Sequence, residues 1–312
     1  MERQIIYENR ALYRDNFRVE GFAFGRGEPA LCVVGSMRGN EYQQLYCCSQ
    51  LVRRLGELEE RGRLVPGKQI LVIPCVNPYS MNAHKRFWPI DNTDINRMFP
   101  GYDLGETTQR IAAGIFARVQ DFALGVQFSS FYMPGAFVPH VRITKTGYED
   151  AEMALQFGLP YVILHPPRPF DTTTLNYNWQ IWETKAFTLY TASNAQMDKA
   201  SAKEAVEAVL GFLAARGLLH YRRKGGWFSR IVESEDMIPL HAERAGFFES
   251  FVHPGQEVER GEALARILDP YLGTERCRLS APEDGTVAFV RDEAMTYEST
   301  AVIKLIPDTC PE

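Results

Sequence analysis

The sequence predicts an α/β chain in two parts, a largely buried sheet flanked by helices over residues 1–221 and an all-β module over residues 222–312. Three observations carry this reading. Short apolar runs ending in Gly, Pro or Asn alternate with long amphipathic stretches, the pattern of buried strands covered by helices. The alternation stops near Tyr221, where Lys224-Gly225-Gly226 opens a region of short strand-like runs separated by turn residues. With 312 residues, 45% hydrophobic and 23% charged, the chain has enough apolar material for one or two packed cores.

In order, Ala30–Gly35 (ALCVVG) reads as the first buried strand. Asn40–Arg63 places Leu45, Leu51, Leu55 and Leu58 at helical spacing, with Arg53-Arg54 and Glu59-Glu60 elsewhere, and predicts a long amphipathic helix. Gln69–Val76 is the next strand. It delivers Asn77–Gly101, a stretch too rich in Pro, Asn, Asp and Gly to be one regular element. Glu106–Phe122 predicts a helix, and Ala123–Phe128, Tyr161–His165 and Ala186–Thr191 predict strands. Pro166–Trp182 reads as irregular, with Tyr177, Trp179 and Trp182 assigned to the core in preference to a covering loop. Ser201–Arg216 is a helix that Gly217 terminates. In the second part, Val252–Ile267 and Leu279–Val290, with Gly255, Val258, Gly261, Ala281-Pro282 and Gly285, resemble a lipoyl/biotinyl-type hairpin barrel. The turn Pro282–Gly285 carries no lysine, so the module is expected to be structural rather than a carrier.

Bulk properties exclude several partners. A net charge of −5 gives no general attraction for nucleic acid or an anionic membrane. No apolar run reaches the roughly 18 residues of a membrane span, and MERQIIYENR lacks a signal-peptide core. The six cysteines, Cys32, Cys47, Cys48, Cys75, Cys277 and Cys310, include no CxxC pair. Reduced thiols and a cytoplasmic protein are expected.

The chemistry concentrates in Asn77–Gly101. Arg86 and Arg97 offer planar guanidinium forks and Asn96 an amide, a set suited to a carboxylate or phosphate. Asn77-Pro78, Arg86, Asp94-Ile95-Asn96-Arg97 and Phe99-Pro100-Gly101 together resemble the signature of the succinylglutamate desuccinylase/aspartoacylase family. These are zinc amidohydrolases of the metallocarboxypeptidase superfamily, and the resemblance runs from about Leu31 to near the C-terminus. It implies a metallocarboxypeptidase-like mixed sheet with a C-terminal β module. It also implies that Arg86, Asn96 and Arg97 hold the α-carboxylate of an N-acyl amino acid, with Arg142 as a further substrate contact.

The same resemblance locates a zinc site that this sequence does not preserve. In the family's His-Gly-x-Glu turn, Gly39, Asn40 and Glu41 match but Arg38 stands at the histidine. Ser129 aligns with the second zinc histidine and Gln127 with its aspartate, a slip of one residue remaining open. Tyr190 or a neighbour stands at the catalytic glutamate. A hydrolytic zinc needs three protein ligands and an open position for water. Glu41 alone remains of the family's ligands, and a guanidinium does not coordinate a cation. No cofactor is therefore expected, and Arg38 is expected to compensate the buried Glu41 electrostatically.

The favoured reading is a binding protein for a small carboxylate ligand resembling an N-acyl amino acid. It would act as a sensor or regulatory subunit, as a homo-oligomer or paired with an active paralogue. The alternative is an active zinc-dependent deacylase with a rerouted metal site using His84, His140 and Glu41. A metal-free route would need Ser129 or Ser130 as nucleophile with His140 as base. A purely structural role is the third reading.

Overall fold

The computed structural model describes residues 1–10, 15–192 and 197–308. The chain runs β1 (Glu2–Asn9), β2 (Phe17–Phe24), β3 (Gly27–Ser36), α1 (Tyr42–Glu60), β4 (Gly67–Cys75), α2 (Pro78–Asn82), α3 (Thr107–Val119), β5 (Leu124–Ser129), β6 (Ala136–Phe137) and β7 (His140–Thr144). It continues through α4 (Ala151–Ala154), β8 (Tyr161–His165), α5 (Leu175–Ile181), β9 (Lys185–Tyr190), α6 (Lys199–Ala215) and β10 (Arg230–Glu233). The remainder is all strand: β11 (Ile238–His241), β12 (Gly246–Ser250), β13 (Glu257–Val258), β14 (Ala263–Leu268), β15 (Glu275–Ser280), β16 (Gly285–Val290), β17 (Met295–Thr296) and β18 (Ala301–Pro307).

A nine-stranded mixed sheet, in the order β1-β2-β4-β3-β5-β9-β7-β8-β10, forms the centre. Its middle strands β4, β3, β5 and β9 are parallel, and β7 returns antiparallel to β9. Helices cover both faces, which explains why β3 and β5 read as unbroken apolar runs rather than alternating ones. On one face α1 and α6 pack Leu51, Leu55, Val209 and Phe212 against Leu31, Val33, Val126 and Leu189. On the other, α3 and α5 pack Ile111, Ile115, Leu175 and Trp179 against Cys32, Val34 and Ala186.

The second face corrects the expectation that Pro166–Trp182 is irregular. It contains α5, whose first turn is capped by Thr174 Oγ1 accepting from Tyr177 N at 3.3 Å. The indole of Trp179 is fully buried and donates to the Val119 carbonyl at 3.1 Å. It lies over Gly125, where a Cβ would fall 2.7 Å from the ring. Trp182, by contrast, is half exposed and meets Phe116 edge-on. Strands β1, β2 and β7 were not anticipated from the sequence.

The C-terminal part consists of two antiparallel sheets, β11-β18-β16-β13 with β6 added on β16, and β15-β14-β12-β17. They share one core that includes Leu240, Phe248, Leu264, Ile267, Val287 and Leu305. The sheets do not join into the closed barrel expected from the hairpin pattern. The expected boundary at residue 221 precedes β10, which pairs in parallel with β8 in the large sheet. In exchange, β6 crosses to pair with β16. The two parts are thus stitched by a strand in each direction.

Among the described residues no helix is long and apolar enough to cross a membrane. Cys32, Cys47, Cys48, Cys75 and Cys277 are unpaired, and Cys310 lies outside the described residues.

A methyl group at Gly125 must displace the Trp179 indole. Gly125→Ala is expected to lower stability by about 1–3 kcal/mol, read as a lower urea midpoint with an unchanged slope.

Candidate functional site

The site grows out of the sheet register. Ser129 pairs with Tyr190 and Tyr190 with His140; one step along, Gln127 pairs with Thr188 and Thr188 with Arg142. Residues two apart on a strand face the same way, so these six side chains share one sheet face. Beyond the reach of α3 and α5 that face turns from apolar to polar. It becomes the floor of a cavity of about 390 Å³. The Asn77–Gly101 loop, α5 and the 165–171 segment wall it, and Met237, Phe289 and Lys304 close it from the β module.

At one end β3 turns into α1. Gly39 is required there, because a Cβ would lie 2.2 Å from the Lys85 carbonyl oxygen, and its N–H donates to the Arg86 carbonyl at 3.0 Å. The turn thereby docks on the loop. Glu41 is 1% exposed, and its carboxylate is saturated. Oε2 accepts from Met37 N at 2.8 Å and Arg38 N at 3.1 Å, and Oε1 accepts from Ser130 Oγ at 2.6 Å and Arg38 Nη1 at 3.0 Å. Arg38 also donates through Nε and Nη2 to Asp94 Oδ2, at 3.0 and 2.8 Å. Burial alone would lower the Arg38 pKa, but the Glu41 and Asp94 carboxylates outweigh it and raise it.

These residues do not fit zinc. Both oxygens of Glu41 are occupied by N–H and O–H donors, and a permanent cation sits against them. Among the described residues no three His, Cys, Asp or Glu side chains are grouped to hold a metal ion. The rerouted set does not assemble either. His84 is exposed and bonds Tyr42 Oη at 2.9 Å, whereas His140 is buried on the sheet floor. Ser130, not Ser129, is the residue that reaches Glu41. Its hydroxyl is committed there rather than to His140, so no nucleophile–base pair forms.

The loop residues Arg86, Asn96 and Arg97 line the same cavity. Asp94 Oδ1 accepts from Asn96 N at 3.0 Å, and Asn96 Oδ1 accepts from Gln127 Nε2 at 3.3 Å and Leu175 N at 3.4 Å. Arg86 donates to Asn40 Oδ1 at 3.3 Å, and burial and Arg38 lower its pKa. Arg97 donates to the Phe170 carbonyl and to Asp171 Oδ1, and lies over the Phe170 ring. Arg142 lines the same cavity, its guanidinium 5.5 Å from the Phe131 centroid.

Arg168 and Lys304 complete the set and were missed from sequence. Burial, then Arg142 and Arg168, lower the Lys304 pKa. The available signal was a single lysine inside the apolar strand Ala301–Pro307. Tyr190 stacks on Phe131 at 4.2 Å and on His140 at 5.0 Å. Burial pushes both His140 and His165 down to about 4. His165 donates from Nδ1 to the Pro166 carbonyl at 3.1 Å and accepts at Nε2 from Thr144 Oγ1 at 3.0 Å.

Residues 28–216 match the model of the succinylglutamate desuccinylase/aspartoacylase catalytic domain. The chain is 24% identical, over 84% of its length and 78% of the relative's, to N-alpha-acetyl-L-2,4-diaminobutyric acid deacetylase of Halomonas elongata. In fold it is similar to a succinylglutamate desuccinylase/aspartoacylase of Rhodobacter sphaeroides, with a TM-score of 0.78, 21% identity, and coverage of 99% of this chain and 96% of that one. An aspartoacylase family protein of Mesorhizobium loti gives a TM-score of 0.74 at 22% identity, covering 95% and 91%. The product-bound ectoine utilization protein EutE of Ruegeria pomeroyi gives 0.74 at 20%, covering 93% and 89%.

Arg38→Met strands Glu41 and Asp94 without a counter-charge. It is expected to destabilise the fold by about 3–5 kcal/mol, and adding Glu41→Gln and Asp94→Asn recovers much of the loss in a denaturation cycle.

The two buried histidines are neutral in the fold and protonate nearer 6.5 when unfolded. The unfolded chain binds more protons between those values. Their contribution therefore raises stability as pH climbs from about 4 to 6.5 and is lost on acidification. Ring signals of both residues should remain those of neutral imidazole at pH 5.5 in an NMR titration.

Proposed function

The chain belongs to the succinylglutamate desuccinylase/aspartoacylase family, and from that premise we propose that its cavity binds a small N-acyl amino acid bearing more than one carboxylate, without zinc-based hydrolysis. The observation that carries this is the convergence of Arg86, Arg97, Arg142, Arg168 and Lys304 on one cavity. Asp171 pairs with Arg97, and Asp94 is already committed to Arg38. Arg86 and Lys304 are partly buried beside other cations, which is costly, and a polyanionic ligand relieves that cost. Arg86, Asn96 and Arg97 present forks and an amide to one carboxylate, and Arg142, Arg168 and Lys304 face a second anionic group. Volume supports the same class, since about 390 Å³ lies at the small-ligand end of the usual pocket range.

Loss of hydrolysis is supported by Arg38. It occupies the carboxylate of Glu41, and Tyr190 supplies no base where the family has its glutamate. In this reading the protein's own residues bind and orient the ligand rather than cleave it. Such a protein serves as a cytoplasmic sensor of its ligand or as a regulatory partner of an active paralogue.

The test combines metal analysis with calorimetry on untagged protein. N-acetyl-L-glutamate is expected to bind, and Arg97→Gln to weaken it by about tenfold or more, about 1.4 kcal/mol. Zinc stays substoichiometric after incubation and desalting, and no acetate is released. One zinc per chain together with acetate release would instead make the protein an active deacylase.

A further inference from the structure

The cations account for the charged part of a ligand and leave two neutral side chains in the same cavity unused. His140 is 2% exposed and Asn176 is 6% exposed. His140 Nδ1 lies 2.8 Å from the Val138 carbonyl oxygen, so that nitrogen carries the proton and donates. Nε2 is left as a lone-pair acceptor, and among the described residues it has no protein partner. The ring is not free to turn toward one. It is stacked on Tyr190 with an interplanar angle of 7° and lies against Phe131. Asn176, in the first turn of α5, has neither Nδ2 nor Oδ1 bonded to the described protein.

Both side chains line the cavity. Their neighbours behave differently: Gln127 is bonded to Asn96, Ser130 to Glu41 and Thr144 to His165. Buried polar groups in folded proteins are nearly always hydrogen-bonded. Among the buried polar atoms of the described residues that line this cavity, those without a protein partner belong to His140 and Asn176.

We propose that His140 and Asn176 read the neutral amide of the ligand, His140 Nε2 accepting from its N–H and Asn176 pairing with its other polar groups, so that the site selects amides over esters of the same shape. The proposal rests on the carboxylate-binding reading of this cavity. In an ester the N–H is replaced by an oxygen whose lone pairs would face the lone pair of Nε2. A carboxylate would satisfy Nε2 no better, because an ionised carboxylate only accepts. Burial holds the imidazole neutral at physiological pH, so Nε2 does not become a donor.

The experiment is isothermal titration of the full chain at pH 7.5 with N-acetyl-L-glutamate and with its ester isostere, 2-acetoxyglutarate. Wild-type protein is expected to bind the amide about tenfold or more tightly than the ester. His140→Phe keeps a ring against Tyr190 and removes the acceptor, and the two ligands then bind alike. Asn176→Leu weakens the amide by about tenfold and leaves the His140-dependent preference in place. Equal affinities in the wild type, with binding still lost in Arg97→Gln, overturn this proposal and leave the carboxylate reading standing. An amide preference that survives in His140→Phe, or an affinity untouched by Asn176→Leu, overturns the assignment of that residue. Failure of both ligands to bind the wild type removes the carboxylate reading and this proposal together.

Discussion

The buried contact of Arg38 with Glu41 and Asp94 is the interaction on which the site depends. Glu41 begins α1 and Asp94 lies in the Asn77–Gly101 loop, so one guanidinium joins the turn after β3 to the segment carrying Asn96 and Arg97. The connection continues through neutral bonds. Asp94 Oδ1 takes the N–H of Asn96, whose own Oδ1 takes Gln127 from the sheet floor and Leu175 from α5. Charge compensation at one end therefore sets the position of Asn96 and its neighbour Arg97 at the other. Gly39 makes the docking possible, because only a residue without a side chain fits between the turn and the loop backbone.

This arrangement shows how the turn between β3 and α1 accommodates a buried arginine. Glu41 is too deeply buried to stand alone, and an ionised carboxylate there demands a positive partner. The Arg38 guanidinium directs one Nη1 bond to Glu41 at 3.0 Å and a pair of bonds to Asp94. A guanidinium supplies charge and directed N–H groups but no open coordination position. Two carboxylates around one guanidinium also leave this corner with no surplus positive charge. The positive charge lining the cavity comes from elsewhere, from Arg86, Arg97, Arg142, Arg168 and Lys304.

The parts of the fold legible in the sequence are those whose physics is local. β3, β5 and β8 are apolar because helices lie on both faces, and α1 and α6 carry their periodicity openly. β1 and β2 were missed because their exposed positions interrupt the run with charge, as in ERQIIYEN. α5 was missed because seven residues beside prolines give too short a helical pattern, and Trp179 holds it only through Gly125 and Val119 on distant elements. The hairpins of the β module were visible in their glycines, but whether sheets close is decided by strand register, which no turn records. In the site, Arg86, Asn96 and Arg97 were readable because they share one loop. Arg38 was readable because it stands in a Gly39-Asn40-Glu41 turn that resembles a family motif with histidine at that position. Lys304 and Asn176 were not, because only tertiary packing brings them to that loop.

Lys304 also settles what the β module does for the cavity. The module carries no lysine on its Pro282–Gly285 turn, yet it places one lysine where burial and two arginines disfavour its charge. Such a position is unfavourable for stability alone, since an uncharged side chain of similar length would pack there without the desolvation cost. Phe289 from the same module meets Phe137 at a tilted angle and pairs with it across β16 and β6, so the wall bearing Lys304 is attached to the large-sheet part. The exchange of β6 and β10 between the two parts serves that attachment. A module held by a strand in each direction keeps Lys304 on the same cavity as Arg142. The two-part division of the sequence is therefore a division of chain and core, while the cavity is a single construction to which both parts contribute.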